Sequence, residues 1–314
     1  MVTPARVPGS LRRTSSIDIV RRDGEAIGLG RARDVRTTAD GGIEMLASAE
    51  VRHRANETTR RILEISVEPT LDGVDSLVGL TLGSRFRADA HDLLVHGPWD
   101  GHPLVLLLDD LPAARFISSY ALARRGGQLH FHQPDQVEMR ADLCAGWARD
   151  GAAFIALESR GMQMVPVGPV AEPLRRGDDP AGWHELRLLP PNSMRRSRRL
   201  DVTPGGGDTW GVDAYFRDGH IEDDGREIVL HEYSLTASVD GDVVTAIDVT
   251  PGTLPHVDCP AALDSAQRVV GRRLGDLRWW VSAEMTGPST CTHLNDVLRS
   301  LSDLAELRGH LVAD

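Results

Sequence analysis

The feature that most constrains this chain is an echo of itself at long range. Ser10-Leu-Arg-Arg-Thr-Ser-Ser-Ile-Asp-Ile returns as Ser193-Met-Arg-Arg-Ser-Arg-Arg-Leu-Asp-Val, and each copy opens a segment of alternating apolar residues, the period of a strand. A second echo aligns Arg61-Ile-Leu-Glu-Ile-Ser-Val-Glu-Pro-Thr-Leu-Asp-Gly without gaps on Val229-Leu-His-Glu-Tyr-Ser-Leu-Thr-Ala-Ser-Val-Asp-Gly. Both read as a strand entering an Asp-Gly hairpin. A second strand, a helical stretch and a closing helix are expected after each, the closing helices covering 104–123 and 291–307. The expected class is therefore α+β: two tandem degenerate repeats, each an antiparallel sheet with packed helices. The boundaries read as residues 1–125 for the first repeat, 126–191 for a connector and 192–314 for the second repeat.

Composition narrows the function classes. A chain of 314 residues that is 41% hydrophobic can bury one large core or two smaller ones. Its formal net charge of -11 argues against general binding to nucleic acid or to an anionic membrane, which needs surplus cations. No long apolar run and no signal-peptide core are visible, so a soluble, cytoplasmic protein is expected. The three cysteines Cys144, Cys259 and Cys291 are too few and odd in number for a disulfide scaffold, which leaves packing, metal binding or catalysis.

The halves differ where chemistry would sit. In the gapless alignment Leu63 stands at the place of His231, the apolar run Pro103-Leu-Val-Leu-Leu-Leu replaces Thr290-Cys-Thr-His, and Cys259 has no counterpart. A single polar site would then belong to the second half. Gly287 and Pro288 break the preceding structure, Ser289 or Thr290 can cap, and Val297, Leu298 and Leu301 supply the apolar stripe of a helix. Cys291 and His293 thus fall at a helix N-terminus, where unpaired amides and the helix dipole favour thiolate over thiol. In the connector, His130-Phe-His132 reads as the polar face of a strand or a metal pair. Arg140–Leu157 reads as one amphipathic helix with Cys144 in the core, and Trp183 and His184 could drape over a site.

His231 on a strand, Cys259 after a strand and Cys291 opening the last helix are donors of the kind that select zinc or iron. Three such ligands and an open position make a catalytic pattern, with His293 or His256 as the nearby acid or base. If His293 is itself a ligand, Cys291 must lie in the non-helical cap, because two residues on a regular helix point about 200° apart. Strand alternation gives Glu232 a structural role, and Asp296 either orients a ligand or is solvated. Arg195 and Arg196 are candidate bidentate grips for an anionic substrate, with His184 as a further substrate contact.

From Leu235-Thr-Ala-Ser-Val-Asp-Gly through Cys259-Pro-Ala-Ala-Leu-Asp to Cys291-Thr-His-Leu-Asn-Asp-Val-Leu, the order of elements resembles the IscU/NifU-type iron–sulfur scaffold proteins. The resemblance covers roughly residues 228 to 305. It implies an IscU/NifU-like fold, with the middle family cysteine on Cys259, the last on Cys291 and the first ligand on His231. The histidine that often precedes the last cysteine is replaced here by Thr290. The second half with its closing Cys-Thr-His-Leu also resembles an uncharacterised bacterial domain family of unknown function.

The combined expectation is a metal-dependent enzyme, zinc held by His231, Cys259 and Cys291, of lyase, hydratase or hydrolase type. Its partner would be a small-molecule substrate, an anionic carbonyl or hydroxy compound among the candidates, with no nucleic acid and no membrane. A homodimer is compatible but not required. Two alternatives stand beside it: an iron–sulfur or persulfide carrier, and a non-catalytic module with structural zinc.

Overall fold

The computed structural model describes residues 2–83, 85–94, 99, 101–126, 128–130, 137–138, 140–160, 162–164 and 167–312. Its backbone is one antiparallel sheet of eight strands. In chain order these are β1 (Leu11–Arg22), β2 (Glu25–Thr37), β3 (Ile43–Asn56), β4 (Ile62–Glu68), β7 (Met194–Pro204), β8 (Thr209–Ile221), β9 (Glu227–Asp240) and β10 (Val243–Pro251). Their order in space is β10-β9-β8-β7-β1-β2-β3-β4. The two Arg-Arg segments are the central strands, and they pair with each other, Ser16 standing opposite Ser197. Two short strands, β5 (Gln128–His130) and β6 (Met162–Met164), pair apart from this sheet.

Central strands are covered on both faces, so Arg12 and Arg13 of β1 and Arg195, Arg196, Arg198 and Arg199 of β7 are buried and require partners. The chain contains no lysine, and all 35 basic side chains are arginine, whose planar fork can bind a carboxylate through two bonds. On one face the pairing is reciprocal across the seam. Arg12 binds Asp201 at 2.6 and 2.8 Å, and Arg195 binds Asp18 at 2.6 and 2.9 Å. The connector covers this face: Trp183 donates to Thr3, and the His184 ring lies 2.8 Å from Ser16 Oγ and 3.0 Å from Thr14 Oγ1.

Helices cover the other face. They are α1 (Phe86–Leu94), α2 (Pro103–Ile117), α3 (Tyr120–Gly126), α4 (Ala152–Arg160), α5 (Leu274–Glu284), α6 (Thr292–Ser300) and α7 (Leu304–Val312). Helix α2 starts on Pro103, whose missing N–H costs nothing in a first turn, and the His102 ring accepts from the Leu104 amide. It is apolar nearly all round and is correspondingly buried. One apolar cluster forms where α1 and α2 meet β1–β4, with Phe86, Leu104 and Leu108 at its centre. A second, including Phe216, Tyr233, Leu277 and Leu298, lies under the helices of the second half.

Several expectations change here. The sheet runs unbroken through the β1–β7 pair, across the boundaries drawn at 125 and 191. The two segments of the gapless alignment hold different places in the sheet, β4 at its edge and β9 one strand inside. Asp240 and Gly241 do turn β9 into β10, but β4 is an edge strand that leads into a 3-10 turn at Val74–Leu77. Two runs of alternating residues ending in Asp-Gly look alike in sequence although one ends at a sheet edge. The strand next to β2 is β3, as β9 is next to β8, so the residue facing Asp34 is Ala47 where His231 faces Asp218; Leu63 has neither position. The expected helix over 140–157 is instead a 3-10 turn at Ala145–Trp147 followed by α4, the break falling at Asp150 and Gly151. His132 and Phe131 lie outside the described residues. No described helix is long and apolar enough to cross a membrane.

Candidate functional site

The site is built on the β8–β9 pair. Asp218 and His231 are cross-strand neighbours, immediately before a register shift at Gly219. Helix α6 brings the third group. Its N-cap is Cys291, in an extended conformation with φ -127° and ψ 124°, which places His293 in the first turn. The His231 and His293 rings stack with centroids 3.6 Å apart and planes 15° from parallel. Asp218 Oδ2 is 3.8 Å from His231 Nδ1 and 3.7 Å from His293 Nε2. Those separations are too long for direct hydrogen bonds. They are close to the spacing of two ligands on one ion, about 3.4–3.6 Å for bonds of about 2.1 Å at tetrahedral to trigonal angles.

Arg196 fixes the carboxylate from behind. Its Nε and Nη2 donate to the two oxygens of Asp218 at 2.8 and 2.9 Å, and its Nη1 donates to Asp296 at 2.7 Å. Arg198 donates through two bonds of 2.5 Å to Asp110 of α2, and its guanidinium reaches the Asp296 carbonyl at 2.8 Å. Both arginines lie over the Phe216 ring, at 4.9 and 5.1 Å. Asp296 also accepts from Arg299, so it is a buried node of an ion network and not a solvated side chain. Burial opposes its charge, but Arg299, Arg196 and Arg87 outweigh burial and hold it well below the usual carboxylate range. Tethered this way, Asp218 cannot swing out of the site.

Both imidazoles are kept neutral. Burial, then the neighbouring His293, pushes His231 well below its ordinary value, against the pull of Asp218. Burial and Arg196 push His293 down to about 3. Neutral imidazole is the form that binds a metal. His231 Nδ1 is buried with no hydrogen-bond partner among the described residues, a costly state for a polar atom.

His231 and His293 form part of the wall of a cavity of about 120 Å³. The same cavity is lined by His256, by Tyr233 and by all three cysteines of the chain. The thiols are buried and protonated: burial is the largest cause in each case, pushing Cys144 and Cys259 up to about 12 and raising Cys291 as well. The Tyr233 hydroxyl donates to Cys291 Sγ at 3.2 Å, and the amides of His293 and Leu294 also favour the thiolate, but desolvation wins. The expectation of a reactive thiolate at the helix start is thereby corrected.

Of the expected metal ligands, His231, Cys259 and Cys291 line one cavity, and the acid–base candidates His256 and His293 line it too. The ligand set differs in detail. Among the described residues, the group whose donor atoms all lie within 4.8 Å of one another is Asp218, His231 and His293, and no cysteine belongs to it. His256 packs edge-on against Trp147, with centroids 4.9 Å apart, and burial lowers its pKa despite Asp258. Arg195 and His184 lie on the opposite face of the sheet with Asp18, Ser16 and Thr14 as partners, so neither reaches the cavity. Arg196 is committed to Asp218 and Asp296. Glu232, on the other face from His231, accepts from the Tyr215 hydroxyl, consistent with strand alternation. Sequence reasoning missed Asp218 and Cys144. Asp218 had a signal, since it stands to the Arg196 strand as Asp34 stands to the Arg13 strand; Cys144 had none, because its approach depends on how the connector returns.

Residues 194–306 match a family described as "Protein of unknown function (DUF2889)". The match contains Asp218, His231, His256, Cys259, Cys291 and His293, and it excludes Cys144. No curated protein and no solved structure matches the chain.

Proposed function

We propose that this protein is a metal-dependent enzyme, with one zinc ion held by Asp218, His231 and His293 and an open position toward the cavity. The observation that carries this reading is the triad itself, with Asp218 and His231 buried and His293 partly so: two neutral imidazoles and a tethered carboxylate within 4.8 Å, one of the imidazole nitrogens unpartnered among the described residues. The donor set, two nitrogens and one oxygen, suits zinc, and three protein ligands with a free position is a catalytic rather than a structural pattern. The stacked rings must tilt apart for both nitrogens to point at one ion. When bound, the ion supplies Lewis acidity toward a carbonyl or hydroxyl oxygen.

The chain's own groups have distinct tasks. Arg196 holds the charge and orientation of Asp218, and the Arg198–Asp110–Asp296 network fixes α6 against the sheet. His256, on the cavity wall and outside the triad, is the group placed to take or give a proton. The substrate is a small carbonyl or hydroxy compound and the reaction a hydrolysis, elimination or hydration. We also propose that the two halves are degenerate copies of one unit. The supporting features are the mirrored strand order about β1–β7 and the matched forks Arg13–Asp34 and Arg196–Asp218.

The test is chelation of protein purified without chelators, followed by circular dichroism and a screen of esters, hydroxy acids and enoyl compounds. The enzyme reading expects about one zinc per chain, retention of fold after chelation, and a hydrolytic or lyase activity that zinc restores. Unfolding on chelation points to structural zinc, and iron with acid-labile sulfide points to a cluster carrier.

A further inference from the structure

The cavity has a composition that the metal triad does not require. Beyond the imidazoles of His231, His256 and His293 and a few hydroxyls, its wall includes Ile117, Leu230 and Leu254, the Trp147 ring, and three thiols. The three cysteines are free and buried, and a buried free cysteine packs as a small, polarisable apolar side chain. Of the hydroxyls on the wall, Tyr233 donates to Cys291, Ser119 donates to the Phe116 carbonyl, and Thr292 Oγ1 lies 3.4 Å from His293 Nδ1. Two lining residues, Phe116 and Leu143, are also 42% and 41% exposed. Large apolar side chains that line a cavity and also meet water mark where its contents leave the protein. Arg140 lines the cavity as well and stacks over Trp147 at 5.9 Å.

Resting on the metal reading above, we propose that the substrate is an amphipathic compound. It carries one oxygen-bearing head group, bound at His231 and His293, on an unbranched alkyl or planar aryl body. The body lies against Ile117, Leu230, Leu254 and the thiols and passes Phe116 and Leu143 to solvent. A fully polar metabolite, such as a sugar or a hydroxy diacid, would strand its polar groups against this wall at a cost of several hydrogen bonds. The three cysteines then conserve an apolar, adaptable surface and carry no covalent chemistry.

The probe is a homologous series of n-alkyl hydroxamates from two to eight carbons, whose head group binds zinc and whose tail varies alone. Dissociation constants are measured by titration calorimetry on zinc-loaded and metal-free protein, and on Leu143→Ser, an exposed position whose change spares the core. Affinity is expected to tighten about fourfold per buried methylene, the equivalent of transferring each CH₂ from water, until the tail reaches solvent. In Leu143→Ser the longer members should lose this gain while the two-carbon member is unaffected. Equal affinities across the series on zinc-loaded protein would overturn the amphipathic substrate and leave the metal site standing. A length-dependent series that binds metal-free protein equally well would support the apolar cavity and overturn the metal reading. If no member binds either form, both fall.

Discussion

Arg13 grips Asp34 on one side of the β1–β7 seam with bonds of 2.7 and 2.6 Å, and Arg196 grips Asp218 on the other with bonds of 2.8 and 2.9 Å. In both places the arginine is tied further to the helices: Arg13 to Asp303 at 2.9 Å, Arg196 to Asp296 at 2.7 Å. The strand beyond makes the difference. Ala47 faces Asp34, whereas His231 faces Asp218 and stacks on His293 from α6. One fork ends in structure and the other presents an oxygen beside two neutral imidazoles. The contrast teaches that the fork is scaffold, and that the candidate site arises from two imidazoles added to it.

Removing either carboxylate should produce the largest effect. Asp34→Ala and Asp218→Ala each strand a buried guanidinium, at a cost on the order of 3–5 kcal/mol in urea unfolding. Only Asp218→Ala should also lose the metal. Equal metal loss in both variants would break the comparison.

The first half has a buried imidazole of its own, His53 on β3, with both ring nitrogens unpartnered among the described residues. It packs so closely on β2 that a side chain at Gly28 would meet it at 1.9 Å. Burial, then Arg115, pushes its pKa down to about 4, well below the ordinary value of about 6.5. A neutral folded-state imidazole contributes stability that is complete above pH ~6.5 and is lost as pH falls from there to ~4, in total about 3 kcal/mol. His53→Leu should reduce the slope of urea midpoints measured between pH 7 and pH 4 by that share, leaving the part contributed by His231 and His293. Because His53 has no carboxylate neighbour of the Asp218 kind among the described residues, the same variant should leave metal content unchanged. A slope unchanged by the substitution would take His53 out of the pH dependence.

The smallest effect sharpens the contrast most. Ala47→His puts an imidazole opposite Asp34 without supplying a counterpart to His293. Metal content should stay at one per chain, and stability should change by less than about 1.5 kcal/mol for a position that is only half-buried. A second equivalent of zinc would mean that the fork and one histidine suffice.

Much of this was legible before the fold was known. The Arg-Arg echo located the two central strands, and five polar residues from the second half, His231, His256, Cys259, Cys291 and His293, do meet on one cavity. The spacing also indicated that Cys291 and His293 could serve one site together only with Cys291 in the non-helical cap, and Cys291 is the N-cap of α6. What sequence periodicity could not provide was register across strands. Asp218 becomes a neighbour of His231 only through the β8–β9 pairing, and the misaligned β4 shows how readily an alternating strand can be assigned to the wrong place in a sheet. Burial, too, is a property of the whole fold: the helix start favours a thiolate at Cys291, and the surrounding apolar wall reverses that preference.

The most direct measurement is the metal content, by elemental analysis, of wild type, His231→Ala, and a triple variant in which Cys144, Cys259 and Cys291 are all replaced by serine. About one zinc per chain in wild type and in the triple variant, and none in His231→Ala, is the expected result. Loss of the metal from the triple variant while it remains folded would return the ligands to the thiols, and wild type without metal would contradict the account at its centre.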